Sequence, residues 1–473
     1  MMTRLSQLSV LFASLLACQF TVAANLEDIY RQALTSDPEL REAEANLKAT
    51  LQNKPQAIAA LLPQVKAGWT YDDQKNNIRA IRGVGSVVQP SISDTTSDGW
   101  GWSVDLTQSL FRADQWLRVR QTDKEAAQAE ADYQAARQNL ITRVATAYFD
   151  VLAAQDTLES EQAAKEAIGR QLEQAEKRFE VGLIAITDVQ EAQAGYDEAV
   201  AAEITAKRIL ANRREVLREI TGQYTPDLDS PKEEIPLLNP VPQDENQWVE
   251  IALQQNLALM SADIGVDIAR DDVRIARSGY LPTLDLFAQR RVSDIDGSGR
   301  NTGVVPGTDP PQIDKSRIDT LNDTTQEVIQ LQFSVPIYTG GATTAGVKQA
   351  VFRRRASLEV LERTARAAER QTRDSYLGVI SEISRVKALR QALKSANTAL
   401  QATEAGFEVG TRTTVDVLDA RRTLFLAQTN YARSRYDYIL NVLLLKEAAG
   451  TLNETDVEEV NGWLADSYEP PAQ

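Results

Sequence analysis

The segment Arg178–Val189 reads RFEVGLIAITDV and the segment Gly406–Val417 reads GFEVGTRTTVDV. Each holds Phe-Glu-Val-Gly, five variable residues and Asp-Val, and the two start 228 positions apart. A chain that contains itself twice must build both halves from one plan, and further matches extend the duplication. Ala33-Leu34 through Leu62-Pro63-Gln64-Val65 aligns without gaps on Ala252-Leu253 through Leu281-Pro282-Thr283-Leu284. Val104 and Leu106 fall on Leu331 and Phe333, and Ser109-Leu110-Phe111 falls on Pro336-Ile337-Tyr338. Tyr148 matches Tyr376, Phe179 matches Phe407, and Thr221-Gly222 sits opposite Ala449-Gly450. Each half therefore reads as helix, Leu-Pro, strand, polar loop, strand, long helix, Val-Gly turn and helix. Between the halves, Pro226, Pro231, Pro236, Pro240 and Pro242 forbid a continuous helix from Tyr224 to Pro242.

The stretch from Ala113 to Val181 has no proline and only Gly169 as an internal glycine. As one helix it would reach roughly 100 Å at 1.5 Å per residue. Shorter helices over 26–60 and 187–221 would each reach about 50 Å, so two laid end to end match the long one. The second half repeats this, with 342–409 as its long member. Such lengths point to coiled-coil or tubular packing. The spacing agrees, because Leu140, Val144, Ala147, Val151, Ala154 and Leu158 step by four and three. Tyr376, Val379, Ile383, Val386, Leu393, Ala396 and Leu400 do likewise, with Arg390 breaking one step.

Strict alternation marks four strands. Their apolar sides read Val65, Ala67, Trp69, Tyr71; Trp100, Trp102, Val104, Leu106; Leu284, Leu286, Ala288; and Ile329, Leu331, Phe333, Val335. Lys66, Thr70, Ser103, Asp105, Asp285, Gln330, Gln332 and Ser334 fall on the opposite sides. The Gly-, Ser-, Asn- and Asp-rich stretches 94–101 and 294–311 read as long loops. An apolar face with terminal Trp and Tyr, backed by a polar face, fits outer-membrane barrel strands. It also fits a soluble half-buried sheet. Four strands cannot close a barrel, for which about eight are needed, so in lipid several chains would have to share one.

Composition removes other readings. The chain has no histidine, a single cysteine (Cys18) and a net charge of −16. Most metal and nucleophile constellations are thereby absent, no intrachain disulfide can form, and a nucleic-acid partner is disfavoured. No Gly-rich phosphate loop or serine elbow is present, so no enzyme and no cofactor are expected. Residues 1–24 read as a signal peptide, with Arg4, the apolar run Leu8–Ala17 and a small-residue site at Val22-Ala23-Ala24. Leu15-Leu16-Ala17-Cys18 also resembles a lipidation box, so Cys18 is either acylated or discarded.

The motifs RFEVGLIAITDVQ, LPTLDL, SVPIYTGG, VGTRTTVDVLDA and Ala145-Thr146-Ala147-Tyr148-Phe149 together resemble the TolC family of outer-membrane efflux and secretion channels. The resemblance covers residues 25–461. It implies an α+β membrane protein: a homotrimer with a long-helix α-barrel, continuous with a β-barrel of twelve strands, four from each chain. The expected divisions are a signal peptide (1–24), a first repeat (25–222, strands near 64–75 and 99–111) and a Pro-rich equatorial linker (223–245). A second repeat (246–450, strands near 283–292 and 326–338) and a C-terminal equatorial segment (451–473) follow. The implied partners are a periplasmic adaptor, an inner-membrane pump or ABC exporter and outer-membrane lipid. The competing class is a soluble periplasmic coiled-coil scaffold or adaptor, which would fractionate without detergent.

At the repeated turns, Gly182 and Gly410 suit left-handed C-caps, Thr187 and Thr414 are expected to cap the following helices, and Asp188 and Asp416 lie near helix N-termini. The resemblance places acidic constriction rings at Asp416 and Asp419, which share a helix face. It also implies that Arg412 closes the mouth by reaching Asp188 and Thr187 of a neighbouring coiled coil. Phe407 stands where family members carry a tyrosine, which predicts fewer polar ties and more reliance on Arg412. Val181, Gly182, Leu183, Val409, Gly410 and Thr411 match the surfaces that adaptor hairpins contact. An acid–base role for Asp416 and Asp419 has no substrate-binding motif behind it.

Overall fold

The computed structural model describes residues 24–464 apart from 85–86, 226, 233, 305–307 and 309–311. The expected signal peptide, except Ala24, and the tail after Leu464 lie outside the described residues, as does Cys18. The described residues fold into two units, one within 49–126 and 265–358, the other within 24–48, 127–264 and 359–464.

The first unit holds the sheet. Strands β1 (Gln64–Val84), β2 (Val87–Phe111), β3 (Thr283–Val304) and β4 (Ile313–Ser334) pair antiparallel in the order β1-β2-β3-β4. The register puts Val65, Leu106, Ala288 and Ile329 in one row, and Trp69, Trp102, Val292 and Thr325 in another on the same face. The alternation read from sequence is thus a single apolar face spread over four strands. Arg290 and Glu327 interrupt it, directly opposed and 3.4 Å apart, with the guanidinium 6.0 Å from the Trp102 ring. On the reverse face the Arg112 guanidinium grips the Asp285 carboxylate through two hydrogen bonds of 3.2 and 3.1 Å.

The strands outrun their expected lengths. Residues 94–101 and 294–304, expected as loops, are paired strand, while 305–307 and 309–311 lie outside the described residues. Alternation stops beyond Tyr71 and Trp100, yet backbone pairing continues through Asp, Ser, Thr and Asn because the ladder needs no apolar face. In β4 the opposite correction applies. The strand ends at Ser334, short of the expected 338, because Pro336 has no N–H for the ladder.

Helices surround these strands in sequence. They are α1 (Leu26–Ser36), α2 (Pro38–Leu51), α3 (Asn53–Ala59), α4 (Ala113–Glu180), α5 (Ile186–Thr221), α6 (Glu245–Gln255), α7 (Leu257–Ser278), α8 (Ala342–Glu408), α9 (Thr414–Ala448) and α10 (Glu454–Asn461). The single helix expected over 26–60 is broken after Ser36, and the second half is broken at the matching place. Asp37 and Asn256 are both extended, and their side chains accept from the amides of Leu40 (2.8 Å) and Leu259 (3.0 Å). Each break is therefore a helix restart with its own cap. None of the described helices is long and apolar enough to cross a membrane.

In the second unit the seam of α4 is buried from Leu140 through Val144, Ala147 and Val151 to Ala154, and packs with Leu26, Ile29, Val379, Ile439 and Leu443. Aromatic hydroxyls and an indole satisfy the Pro-rich linker, which can make few backbone pairs of its own. Tyr148 donates to the Asp229 carbonyl (2.6 Å), Tyr438 accepts from the Leu238 amide (2.9 Å), and Trp248 donates to the Pro242 carbonyl (2.8 Å). Burial holds the Tyr148 phenol well above its ordinary range. The linker and the C-terminal segment meet at a Pro231–Leu464 bridge and a Lys232 to Trp463 backbone bond of 3.0 Å.

Candidate functional site

Both long helices end in the same way. Gly182 (φ 74°) donates to the Phe179 carbonyl at 2.8 Å, and Leu183 donates to that of Arg178 at 2.9 Å. Gly410 (φ 79°) donates to Phe407 at 3.1 Å and Thr411 to Gly406 at 2.8 Å. This pair of bonds is the Schellman closure, in which a left-handed residue turns the chain back over its last carbonyls. A Cβ at either glycine would meet nothing within 4 Å, so the backbone angle alone calls for glycine there.

The following N-termini differ. The N-caps are Ala185 and Thr413, not Thr187 and Thr414, which lie inside α5 and α9. Thr413 forms a complete capping box: its hydroxyl accepts from the Asp416 amide (3.2 Å), and the Asp416 carboxylate accepts from the Thr413 amide (2.7 Å) and hydroxyl (2.9 Å). Ala185 has no side-chain acceptor, so the first turn keeps only the return bond from its amide to Asp188, at 3.2 Å. The pattern Thr-x-x-Asp was readable three residues apart and marks the true cap.

Electrostatics follow from these bonds. The Thr413 amide and hydroxyl hold the Asp416 carboxyl below the usual aspartate range, with a smaller push from Arg412. Asp419, one turn on, is exposed; its carbonyl accepts from the Thr423 hydroxyl (2.8 Å), and its carboxylate has no hydrogen bond or ion pair among the described residues. Arg412, in the turn just before α9, lies 4.0 Å from Asp416 of that helix and is 60% exposed. Within one chain it does not reach Asp188. Its stem lies over Gly406, where an added Cβ would sit 2.8 Å from Arg412 Cγ. Thr187 is exposed.

Phe407 is covered by a residue that sequence reasoning missed: the Arg178 guanidinium lies 4.9 Å from its ring centroid. Around the turns, Val181, Leu183 and Val409 are 70%, 73% and 75% exposed, an apolar rim left uncovered among the described residues. On the polar face of the sheet, Gln64, Gln330 and Gln332 line an open cleft of about 500 Å³ beside Arg112 and Asp285.

A family model described as outer membrane efflux protein matches residues 29–223 and 248–451, one match to each half of the duplication. The chain belongs to the outer membrane efflux protein family. Outer membrane protein TolC of Escherichia coli K12 is 41% identical over 443 residues, covering 94% of this chain and 85% of that one. Alkaline protease secretion protein AprF of Pseudomonas aeruginosa is 28% identical, with 93% and 87% covered. A crystal structure of a membrane protein from P. aeruginosa superimposes with a TM-score of 0.71 at 18% identity, covering 92% of each chain, and shows the shared fold. As a member of the efflux protein family this chain is an outer-membrane channel for efflux and secretion, with the family's α+β fold of long helices and a β-sheet. The family is one of channels and not of enzymes, and its members work in efflux and secretion systems.

Proposed function

We propose that three copies of this chain assemble into one conduit, each giving four strands to a twelve-stranded barrel and its long helices to a periplasmic α-barrel. The observation that carries this is the sheet itself: four strands with one apolar face and two unpaired edges, β1 and β4. In lipid those edges would cost several kcal/mol per orphan group, which three copies remove by pairing β4 of one with β1 of the next. The row Tyr71–Trp100–Asp294–Asp323 and the row of Leu284 and Phe333 lie ten residues apart on β4. That is about 33 Å along the strand and roughly 23 Å of height at a 45° tilt, close to the apolar band of an outer-membrane barrel.

The two helix reversals form the periplasmic mouth on this reading. Asp419 from three copies makes an acidic ring that attracts cations, and Asp416 adds a second ring whose carboxylates also cap α9. Arg412 reaches Asp188 and Thr187 of a neighbouring copy to hold the mouth shut. The apolar rim of Val181, Leu183 and Val409, with Gly182, Gly410 and Thr411, receives the hairpin of a periplasmic adaptor. The adaptor brings an inner-membrane pump or ABC exporter that supplies the energy. Drugs or unfolded polypeptides are the cargo, and the likeness to a protease secretion protein supports the second class.

Detergent-purified protein in planar bilayers tests the proposal. Conducting units of trimeric mass, blocked by multivalent cations from the helix-turn side, are expected. Monomeric mass with no conductance would sink it.

A further inference from the structure

The sheet keeps its register well beyond the aromatic rows, and the charge on its apolar face changes sign there. Pairing is regular through Arg79 on β1, Ile92 on β2, Thr302 on β3 and Lys315 on β4, so the face that carries Trp69 and Trp102 can be followed row by row. The row of Tyr71 and Trp100 already holds Asp294 and Asp323, and the next holds Asp73, Asp98 and Asp296. Above them the balance reverses. Lys75, then Arg300 and Arg317, then Arg79 and Lys315 occupy the following three rows, against the carboxylates of Asp94 and Asp319. Both carboxylates are engaged, Asp94 by the Asn77 side-chain amide and Asp319 by Arg317 at 2.8 Å. Lys75, Arg79, Arg300 and Lys315 are exposed and have no ion pair among the described residues. A chain of net charge −16 thus gathers its free cations on one patch.

We infer that this patch binds the phosphorylated saccharide head of a glycolipid in the outer leaflet. The inference rests on the channel reading above, which sets this face against lipid. Height selects the partner. The two upper cationic rows lie six and eight residues beyond Tyr71 on β1. That is about 14 and 19 Å of height at a 45° tilt. A phospholipid phosphate stays within a headgroup zone only about 5–8 Å deep, and at that level the face presents Asp73, Asp98 and Asp296. An anion that reaches Arg300 and Lys315 must therefore be carried outward on sugars. Arg300 and Arg317 are directly opposed across β3 and β4, a like-charge pairing that is unfavourable until an anion sits between the two. Their planar forks suit a phosphate, which accepts two hydrogen bonds from each guanidinium. Pairing β4 with β1 of the next copy sets Lys75 and Arg79 of that copy on the strand beside Arg317 and Lys315, so the patch spans the junction between chains.

Native mass spectrometry of the full chain in detergent, titrated with defined lipids, tests this. Lipopolysaccharide with a phosphorylated core should bind about tenfold more tightly than its lipid A anchor alone, as four exposed ion pairs would give, and the preference should shrink as salt rises past about 0.1 M. A variant with Arg79→Gln, Arg300→Gln, Lys315→Gln and Arg317→Gln should lose the preference but still bind lipid A, while Arg300→Lys with Arg317→Lys should keep most of it. Asp73→Asn, Asp98→Asn and Asp296→Asn together should raise binding of phosphatidylglycerol severalfold. Core saccharide released from its lipid should compete, and inorganic phosphate at the same concentration should not. Equal binding of the two glycolipids by the wild-type chain overturns the proposal, even where the Gln variant fails to assemble. A preference that survives in an assembled Gln variant overturns it too, and competition by inorganic phosphate reduces the patch to a simple anion site. A trimer that conducts but ignores the core sinks this inference alone. Core-bearing lipid held by a chain that stays monomeric sinks the channel reading and leaves the patch standing.

Discussion

The Asp416 carboxylate accepts hydrogen bonds from both the amide (2.7 Å) and the hydroxyl (2.9 Å) of Thr413. One of the two acids expected at the constriction is therefore also the capping-box partner of Thr413 at the start of the helix that carries both. Thr413→Ala should cost about 1 kcal/mol at the start of α9, seen as faster hydrogen exchange over its first turn. Asp419→Ala should leave that exchange untouched while weakening multivalent cation block, and Asp416→Ala should do both. Equal exchange in all three variants would mean that the cap contributes nothing.

Arg412 stands 60% exposed with the Asp416 carboxylate 4.0 Å away, and in the proposed trimer it is the group that would reach a neighbouring copy. Arg412→Ser should raise single-channel conductance without lowering thermal stability. A variant that melts earlier and conducts as before would assign Arg412 to folding.

Two left-handed glycines separate angle from space. Gly182 has φ 74° and open surroundings, so Gly182→Ala should cost about 1–2 kcal/mol. At Gly450 (φ 75°) an added Cβ would sit 2.2 Å from the Gln255 carbonyl oxygen, so Gly450→Ala must also push backbone aside. It should destabilise the helical unit far more, read as the difference between the two melting temperatures. Similar melts would show that the α6–α7 junction gives way freely.

On the apolar face of the sheet, Glu327 offsets the charge of Arg290 at 3.4 Å. In the proposed barrel Glu327→Gln leaves an unpaired guanidinium facing lipid, at about 2–4 kcal/mol if it stays near mid-depth. Arg290→Gln with Glu327→Gln should recover most of that loss. Heat-induced dissociation of the oligomer on gels would rank the three proteins, and no difference among them would place this face away from lipid.

Glu203 lies buried on α5 between Lys165 (2.8 Å) and Lys207 (2.7 Å), and the two ammonium groups hold its carboxyl down to about 2 from 4.5. A carboxyl depressed by folding adds stability above its unfolded value and loses it as pH falls through the folded value. The contribution should therefore be complete above pH 4.5, shrink below it and vanish near pH 2. Acid titration of Glu203→Gln against wild type checks this, with the stability gap between them closing over that window. A gap that persists at pH 2 would contradict the pairing.

Much of this architecture was legible because duplication and periodicity are one-dimensional. The halves, the seam from Leu140 to Ala154, the apolar face with Trp69 and Trp102, and the glycines at Gly182 and Gly410 all follow from residue type at a fixed interval. Strand ends were less legible, since polar rows beyond Tyr71 keep pairing through backbone groups that carry no side-chain signature. The helix restarts at Asp37 and Asn256 were visible only as ordinary polar residues until their side chains met the amides three residues on.

The sequence by itself determined the repeat, the element types, the absence of histidine chemistry and the family. Tertiary structure alone decided which equivalent residues do different work. Thr413 caps where Ala185 cannot, the Asp416 carboxylate is occupied while that of Asp419 has no partner among the described residues, and Arg178 crosses to Phe407 while its counterpart Gly406 makes way for Arg412. A repeat fixes where each turn lies along its own helix. Which side chain from one turn lies against which ring of the other depends on how the hairpins pack, through contacts more than two hundred residues apart in the chain.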